Sequence, residues 1–175
     1  NYTPAALKLT GERNPRGIPQ VNFIEDVEAH LLELYARGDK SKIDEAMVSE
    51  CVGVMQELYS KYKFMETHMQ KNKANYKDKL PELTKSIAIV EHLKQKQEDE
   101  DDEPTTADFN LSDNIYTKAT LDVSGKVCLW LGANVMLEYS YDEALEMLNR
   151  NLAGANQKLA NCTEDLQFLR DQIIT

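Results

Sequence analysis

The chain lacks the features of a membrane or secreted protein. No apolar run approaches the roughly 18 residues that a membrane-spanning helix needs, and no apolar leader stands at the start. Its three cysteines, Cys51, Cys128 and Cys162, are odd in number and have no CxxC spacing. Neither a disulfide framework nor a zinc site is therefore indicated. These absences predict a cytoplasmic protein with reduced thiols.

Signatures of catalysis are absent as well. No GxxxxGK[ST], GxGxxG, GxSxG or HExxH motif occurs, and His30, His68 and His92 have unrelated spacings, so we expect no enzyme, cofactor or metal site. The formal net charge of -10 disfavours nucleic-acid binding. With 7% aromatic and 29% charged residues, five prolines and seven glycines, the composition favours long helices over a compact enzyme.

Apolar side chains at steps of three and four predict two coiled-coil helices. The first spans residues 41–97 with a local kink at Pro81, and the second spans 140–175. The second begins at a capping box, Ser140 to Glu143, and keeps its heptad spacing to the end. The predicted seams are Leu58, Tyr62, Met65, Met69, Leu83, Ile87 and Val90 in the first helix, and Leu145, Leu148, Leu152, Leu159, Leu166, Leu169 and Ile173 in the second.

The segment before the first long helix has a different composition. Residues 1–20 contain three prolines and two glycines among few apolar side chains, which is typical of a flexible arm. Residues 21–40 predict a short amphipathic helix with Asn22 as its N-cap and Gly38 at its end.

Between the long helices the hydrophobic period changes to two. Residues 98–105 form an acidic linker, and residues 106–139 predict two β-hairpins. So small a module exposes apolar faces and unpaired strand edges, which strands from other chains can cover by closing a barrel. The fold class is therefore mostly α with a small β module, a long antiparallel coiled coil joined by two β-hairpins that contribute to an intersubunit β-barrel. The predicted assembly residues are Ile115, Tyr116, Leu121, Val127, Leu129, Trp130, Leu131, Val135, Leu137 and Tyr139.

The start of the first long helix is a candidate binding tip. As the sequence is given, the second helix is too short to cover the first, so we expect Met47, Val48, Val52 and Met55 to lie near an unpartnered end. Exposed apolar side chains in such a place bind other molecules, and methionine adapts to varied partners. For Met47 and Met55, a seam position is an equally good interpretation.

Several stretches resemble one protein family. Residues 126–139, KVCLWLGANVMLEY, look closely like the eukaryotic subunit 3 group of the α-class prefoldin subunits. Further stretches match in the same order, at residues 17–19, 23–27, 61–66, 113–116 and 165–172. The resemblance implies a cytoplasmic hexamer with a second α-class and four β-class subunits. It also implies ATP-independent capture of unfolded actin and tubulin chains and their delivery to the group II chaperonin. The residues alone leave open an alternative, a structural or tethering coiled-coil protein that binds one folded partner.

Overall fold

The computed structural model describes residues 9–32, 45–98, 105–121 and 123–175. The elements in chain order are β1 (Leu9–Arg13), β2 (Pro19–Val21), α1 (Val27–Leu31), α2 (Glu45–Glu98), β3 (Thr105–Ser112), β4 (Ile115–Leu121), β5 (Lys126–Gly132), β6 (Val135–Ser140) and α3 (Tyr141–Ile174). The predicted fold class, mostly helical with a small β module, is confirmed. Residues 41–44 of the predicted first helix and residues 99–104 of the predicted linker lie outside the described residues.

Local sequence explains where α3 begins. The Ser140 hydroxyl donates to Glu143 Oε2 at 2.8 Å, and the Ser140 backbone N–H donates to the same oxygen at 3.1 Å. In return the Glu143 N–H donates to Ser140 Oγ at 3.4 Å. This is the predicted capping box, which satisfies N–H groups that have no partner within the helix. Pro81 lies inside α2, and the helix continues through it.

The described chain divides into two compact units, residues 1–75 with 159–175, and residues 76–158. The core of the second unit is a cluster in which α2 packs against α3. Within this unit Lys94 pairs with Asp142 at 2.6 Å, and Lys158 lies 6.0 Å from the ring of Tyr76, so the helices run antiparallel. The buried members of the cluster are Ile87, Val90, Tyr141, Ala144 and Leu148.

The first unit has its own core, in which residues of α2, α3 and the N-terminal segment meet. Ile18, Tyr62 and Leu169 are buried together. Half-buried apolar side chains surround them: Val21, Leu58, Met65, Met69, Phe168 and Ile173.

The strand module consists of two separate antiparallel hairpins, β3 with β4 and β5 with β6. Their tight turns require left-handed backbone, supplied by Asn114 at φ 64° in the first hairpin and by Ala133 and Asn134 at φ 50° and 59° in the second. In the second hairpin Leu129 stands opposite Leu137, and the neighbouring pair Trp130 and Met136 faces the other side.

The N-terminal segment differs from the flexible arm expected over residues 1–20. Residues 1–8 lie outside the described part, but β1 and β2 pair as a hairpin and Ile18 is buried. The reason is tertiary, because the groups that hold this segment come from α2 and α3. The helix expected over 21–40 also differs: α1 begins after Asp26, whose carboxylate accepts from the Ala29 N–H at 3.0 Å. Residues 33–40 lie outside the described part.

Candidate functional surfaces

The β-hairpins present large apolar side chains to solvent. Tyr116 and Trp130 are each 61% exposed. In the part of the chain that the structure describes, no third strand pairs with either hairpin, so the outer strand edges carry unpaired backbone groups. The predicted assembly residues that are exposed are Ile115, Tyr116, Leu121, Trp130, Leu131, Val135 and Leu137, and Phe109, Leu111 and Met136 join them.

Three predicted assembly residues lie on the inner side of the second hairpin. Val127, Leu129 and Tyr139 are half-buried and pack against the cluster of Ile87 and Tyr141. Alternation along the second hairpin therefore separates the face on which Val127, Leu129 and Tyr139 dock on the helices from the face that carries Trp130 and Met136. The docking face is covered only in part, because Leu137 lies on it and is 47% exposed.

One ion pair braces the second hairpin. Lys126 Nζ lies 2.6 Å from Glu138 Oε1 on the neighbouring strand. The hydrogen bond from this ammonium group to Glu138 raises the pKa of Lys126 above its usual value. Both side chains are more than half exposed, so the pair contributes little to stability.

The candidate tip is only partly exposed. Val48 is 37% exposed and Val52, one turn later, is 46% exposed, so the two form a short apolar stripe on α2. Met55 is half-buried, and the side chain of Met47 lies outside the described part. Sequence reasoning missed Cys51, which is buried, although its position four residues before Met55 extends the seam. Burial raises the pKa of its thiol.

A groove of about 330 Å³ lies within the first unit, and Met55 is one of its lining residues. Met55 and Tyr59 of α2, Val21 and Val27 of the N-terminal segment, and Ile173 of α3 supply most of its apolar wall. The groove thus combines a predicted tip residue with side chains that sequence reasoning assigned to the short helix and to the coiled-coil seam.

The predicted seam positions all lie on the packed sides of α2 and α3. Tyr62, Ile87 and Val90 are buried in α2, and Leu148, Leu166 and Leu169 are buried in α3. The others are half-buried: Leu58, Met65, Met69, Leu83, Leu145, Leu152, Leu159 and Ile173.

A polar contact that sequence reasoning missed joins the N-terminal segment to α3. Asp165 is 3% exposed, and its Oδ1 accepts from Arg16 Nε at 2.6 Å and from Asn14 Nδ2 at 2.7 Å. The same guanidinium reaches Glu164 at 2.9 Å. Hydrogen bonds to Asp165 and then to Glu164 raise the pKa of Arg16. Nothing in the local sequence marks Asp165 as a buried charge.

Within the described ranges, neither long helix carries an apolar stretch sufficient to span a bilayer. In those same ranges His, Cys, Asp and Glu side chains do not gather into a group of three that could hold a metal ion.

Comparison with known proteins identifies the family. The prefoldin subunit model matches residues 62–175. This chain belongs to the prefoldin family. It is 44% identical to prefoldin subunit 3 of Elsinoe fawcettii over 172 residues, covering 98% of this chain and 80% of that protein. Human prefoldin subunit 3 is 39% identical over 165 residues, covering 94% and 78%, and the Saccharomyces cerevisiae subunit 3 is 39% identical over 171 residues, covering 94% and 80%.

A solved structure supports the fold. Filamentous PFD from Methanocaldococcus jannaschii, determined by cryo-EM, aligns with a TM-score of 0.53 at 17% identity, covering 67% of this chain and 93% of that one. The predicted resemblance to prefoldin subunit 3 is confirmed by the family model and by these relatives. The chain is accordingly a subunit of the prefoldin co-chaperone type, a family that is not an enzyme class.

Proposed function

We propose that this chain assembles with a second α-class and four β-class prefoldin subunits in the cytoplasm. The resulting hexamer captures unfolded actin and tubulin chains without ATP and delivers them to the group II chaperonin. The exposed apolar face of the β-hairpins is the observation that carries the assembly part of this proposal. The names of the relatives support membership of such a complex.

The hairpins support assembly on physical grounds. Each is a two-stranded sheet, and a lone hairpin is marginally stable in water. The second hairpin packs on the helices through Val127, Leu129 and Tyr139. On its other face, Trp130 and Met136 are exposed to solvent. Strands from other subunits would satisfy the open edges and cover this free face in one step.

Client capture follows from weak contacts that are repeated. The stripe of Val48 and Val52 offers a small apolar area, and one such area binds an unfolded segment weakly. Six arms that contact one chain raise the effective concentration of each further contact, so avidity replaces a deep pocket. Weak contacts per arm also allow release without nucleotide hydrolysis.

Native mass spectrometry of the tagged full-length chain recovered from its own cytosol tests the assembly. We expect a single species with six different subunits of similar size. A monomer or a homodimer without β-class companions would contradict the proposal and leave a coiled-coil tether as the better account.

Client capture is tested separately with the assembled complex. Val48→Ser combined with Val52→Ser should reduce binding of denatured actin several-fold, because apolar contact area is lost at the tip. Thr67→Ser, at an exposed position of the same helix, is the matched control. Unchanged actin binding in the double variant would show that the stripe does not contact clients.

A further inference from the structure

The N-terminal segment is held against α2 and α3 in the manner of a bound peptide. Residues 14–21, which we call the N-terminal clasp, lie across Tyr62 of α2 and Asp165 and Leu169 of α3. The Tyr62 hydroxyl donates to the Pro19 carbonyl at 2.7 Å. Every contact in this set joins groups more than 40 positions apart in the chain, so the clasp meets the helices as a separate ligand would.

The clasp is pre-shaped by its own sequence. The Asn14 side-chain oxygen accepts from the backbone N–H of Arg16 at 3.0 Å and of Ile18 at 2.8 Å. Gly17 adopts φ 88°, which side chains with a Cβ rarely allow. This turn directs Arg16 and Ile18 to two different places on the helices.

The receiving surface has a charged part and an apolar part. Asp165 is almost fully buried and binds Arg16 and Asn14. Beside it, Tyr62 and Leu169 enclose Ile18, which is 7% exposed. A buried carboxylate needs a partner, because removing a charge from water without one is costly. The surface is therefore specific for a basic group followed closely by an aliphatic one.

One further contact fixes the direction of the bound segment. The Gln172 side-chain oxygen accepts from the Val21 backbone N–H at 2.7 Å. This hydrogen bond and the one from Tyr62 to the Pro19 carbonyl both involve backbone groups of the segment and not its side chains. Contacts of this kind hold the main chain of an extended peptide, while Asp165 and the apolar surface around Ile18 select its side chains.

We propose that Tyr62, Asp165, Leu169 and Gln172 form a binding site for extended peptides that carry a basic residue two positions before an aliphatic one. The N-terminal clasp occupies this site in cis and excludes peptides of the same chemistry in trans. The inference rests on the proposed function in one respect only, namely that unfolded chains are the competing ligands. A tethered segment acts at an effective concentration in the millimolar range, so a free peptide binds weakly until the clasp is released.

The test uses the full chain and a fluorescent synthetic peptide of residues 12–22, followed by fluorescence anisotropy. Arg16→Ala weakens the clasp and should tighten peptide binding about tenfold, because apparent affinity rises with the fraction of open sites. Arg16→Ala combined with Asp165→Ala should lose that gain, and a peptide with alanine in place of its Arg16 should bind neither variant. Lys71→Ala, at an exposed position of α2, is the control.

Several outcomes would overturn the site. Unchanged affinity in Arg16→Ala would do so, as would equal affinity in the single and double variants. Ile18→Ser releases the apolar part of the clasp and serves as a second opening variant. A loss of helical circular dichroism in both Arg16→Ala and Ile18→Ser would show that the clasp is an integral part of the fold, and the proposal would fail.

The two proposals fail in different ways. The peptide measurement needs neither partner subunits nor actin. Tighter peptide binding by Arg16→Ala, together with no actin capture by the wild-type complex, would reject the proposed function and leave the peptide site standing. Actin capture that Arg16→Ala does not increase, with peptide affinity unchanged, would reject the peptide site alone.

Discussion

Trp130 allows the assembly surface to be tested quantitatively. It stands opposite Met136 on the free face of the second hairpin and is 61% exposed. A tryptophan side chain presents about 200 Å² of surface, so the exposed part amounts to about 120 Å². At about 25 cal/mol per Å², burial of that area between subunits contributes about 3 kcal/mol. Trp130→Ser should therefore weaken assembly about a hundredfold.

The assay is dilution of the purified complex followed by native mass spectrometry or size-exclusion chromatography. The variant complex should dissociate at about a hundredfold higher concentration than the wild-type complex. The unfolding temperature of the isolated chain, followed by circular dichroism, should change little, because Trp130 is mostly exposed and packs into neither core of the chain. Phe64→Ser, at a 75% exposed position on α2, is the matched control and should leave assembly intact.

Two results would refute this reasoning. If the Trp130→Ser complex survives dilution as the wild-type complex does, the free face of the second hairpin is not in the interface. If Phe64→Ser weakens assembly equally, the effect comes from general loss of apolar surface and not from the strand module.

Two predictions concern the stability of the isolated chain. Leu169→Ala should lower the free energy of unfolding by about 3 kcal/mol, because the fully buried side chain leaves a cavity beside Tyr62; urea unfolding measures this, and equal loss in Ile174→Ala, at an 83% exposed position, would contradict it. Ser140→Ala should cost about 1 kcal/mol at pH 7 through loss of the cap. Hydrogen bonds from the Ser140 hydroxyl and backbone lower the pKa of Glu143. This stabilisation is present above the ordinary carboxyl pKa and is lost as the pH falls through the lowered value, so the cost of Ser140→Ala should shrink as the solution is acidified below the ordinary carboxyl range. A cost that does not depend on pH would show that the Glu143 hydrogen bond contributes nothing.

Much of the fold follows from patterns that are local in sequence. A heptad step depends only on residues three and four apart, so the seam around Leu148 and Leu169 can be read without knowledge of the partner helix. The capping box at Ser140 and Glu143 is equally local. The strands of the hairpins are visible because alternation has a period of two and because Asn114 and Asn134 tolerate left-handed backbone.

The candidate surfaces were predictable only in part. Strand alternation separates two faces, but it does not say which one meets the helices, so Leu129 and Trp130 received the same assignment. The structure separates them, since Leu129 packs against the helical cluster and Trp130 faces solvent. For Met55 the sequence allowed two interpretations, and its half-buried place beside the groove combines both.

The order of the N-terminal clasp was not predicted from the sequence, and the reason is physical. Its composition, rich in proline and glycine, is that of a flexible segment, because such residues form no regular element by themselves. Order comes instead from contacts with residues distant in sequence: Asp165 on α3 binds Arg16 and Asn14, and Tyr62 on α2 binds the Pro19 carbonyl. The sequence pattern around Arg16 and the pattern around Asp165 each predict a charged side chain in solvent. The contact exists only as a pair, separated by 149 positions in the chain. Arg16 supplies the charged part of the contacts that hold this segment, so its substitution tests directly whether the segment is part of the fold or a ligand of it.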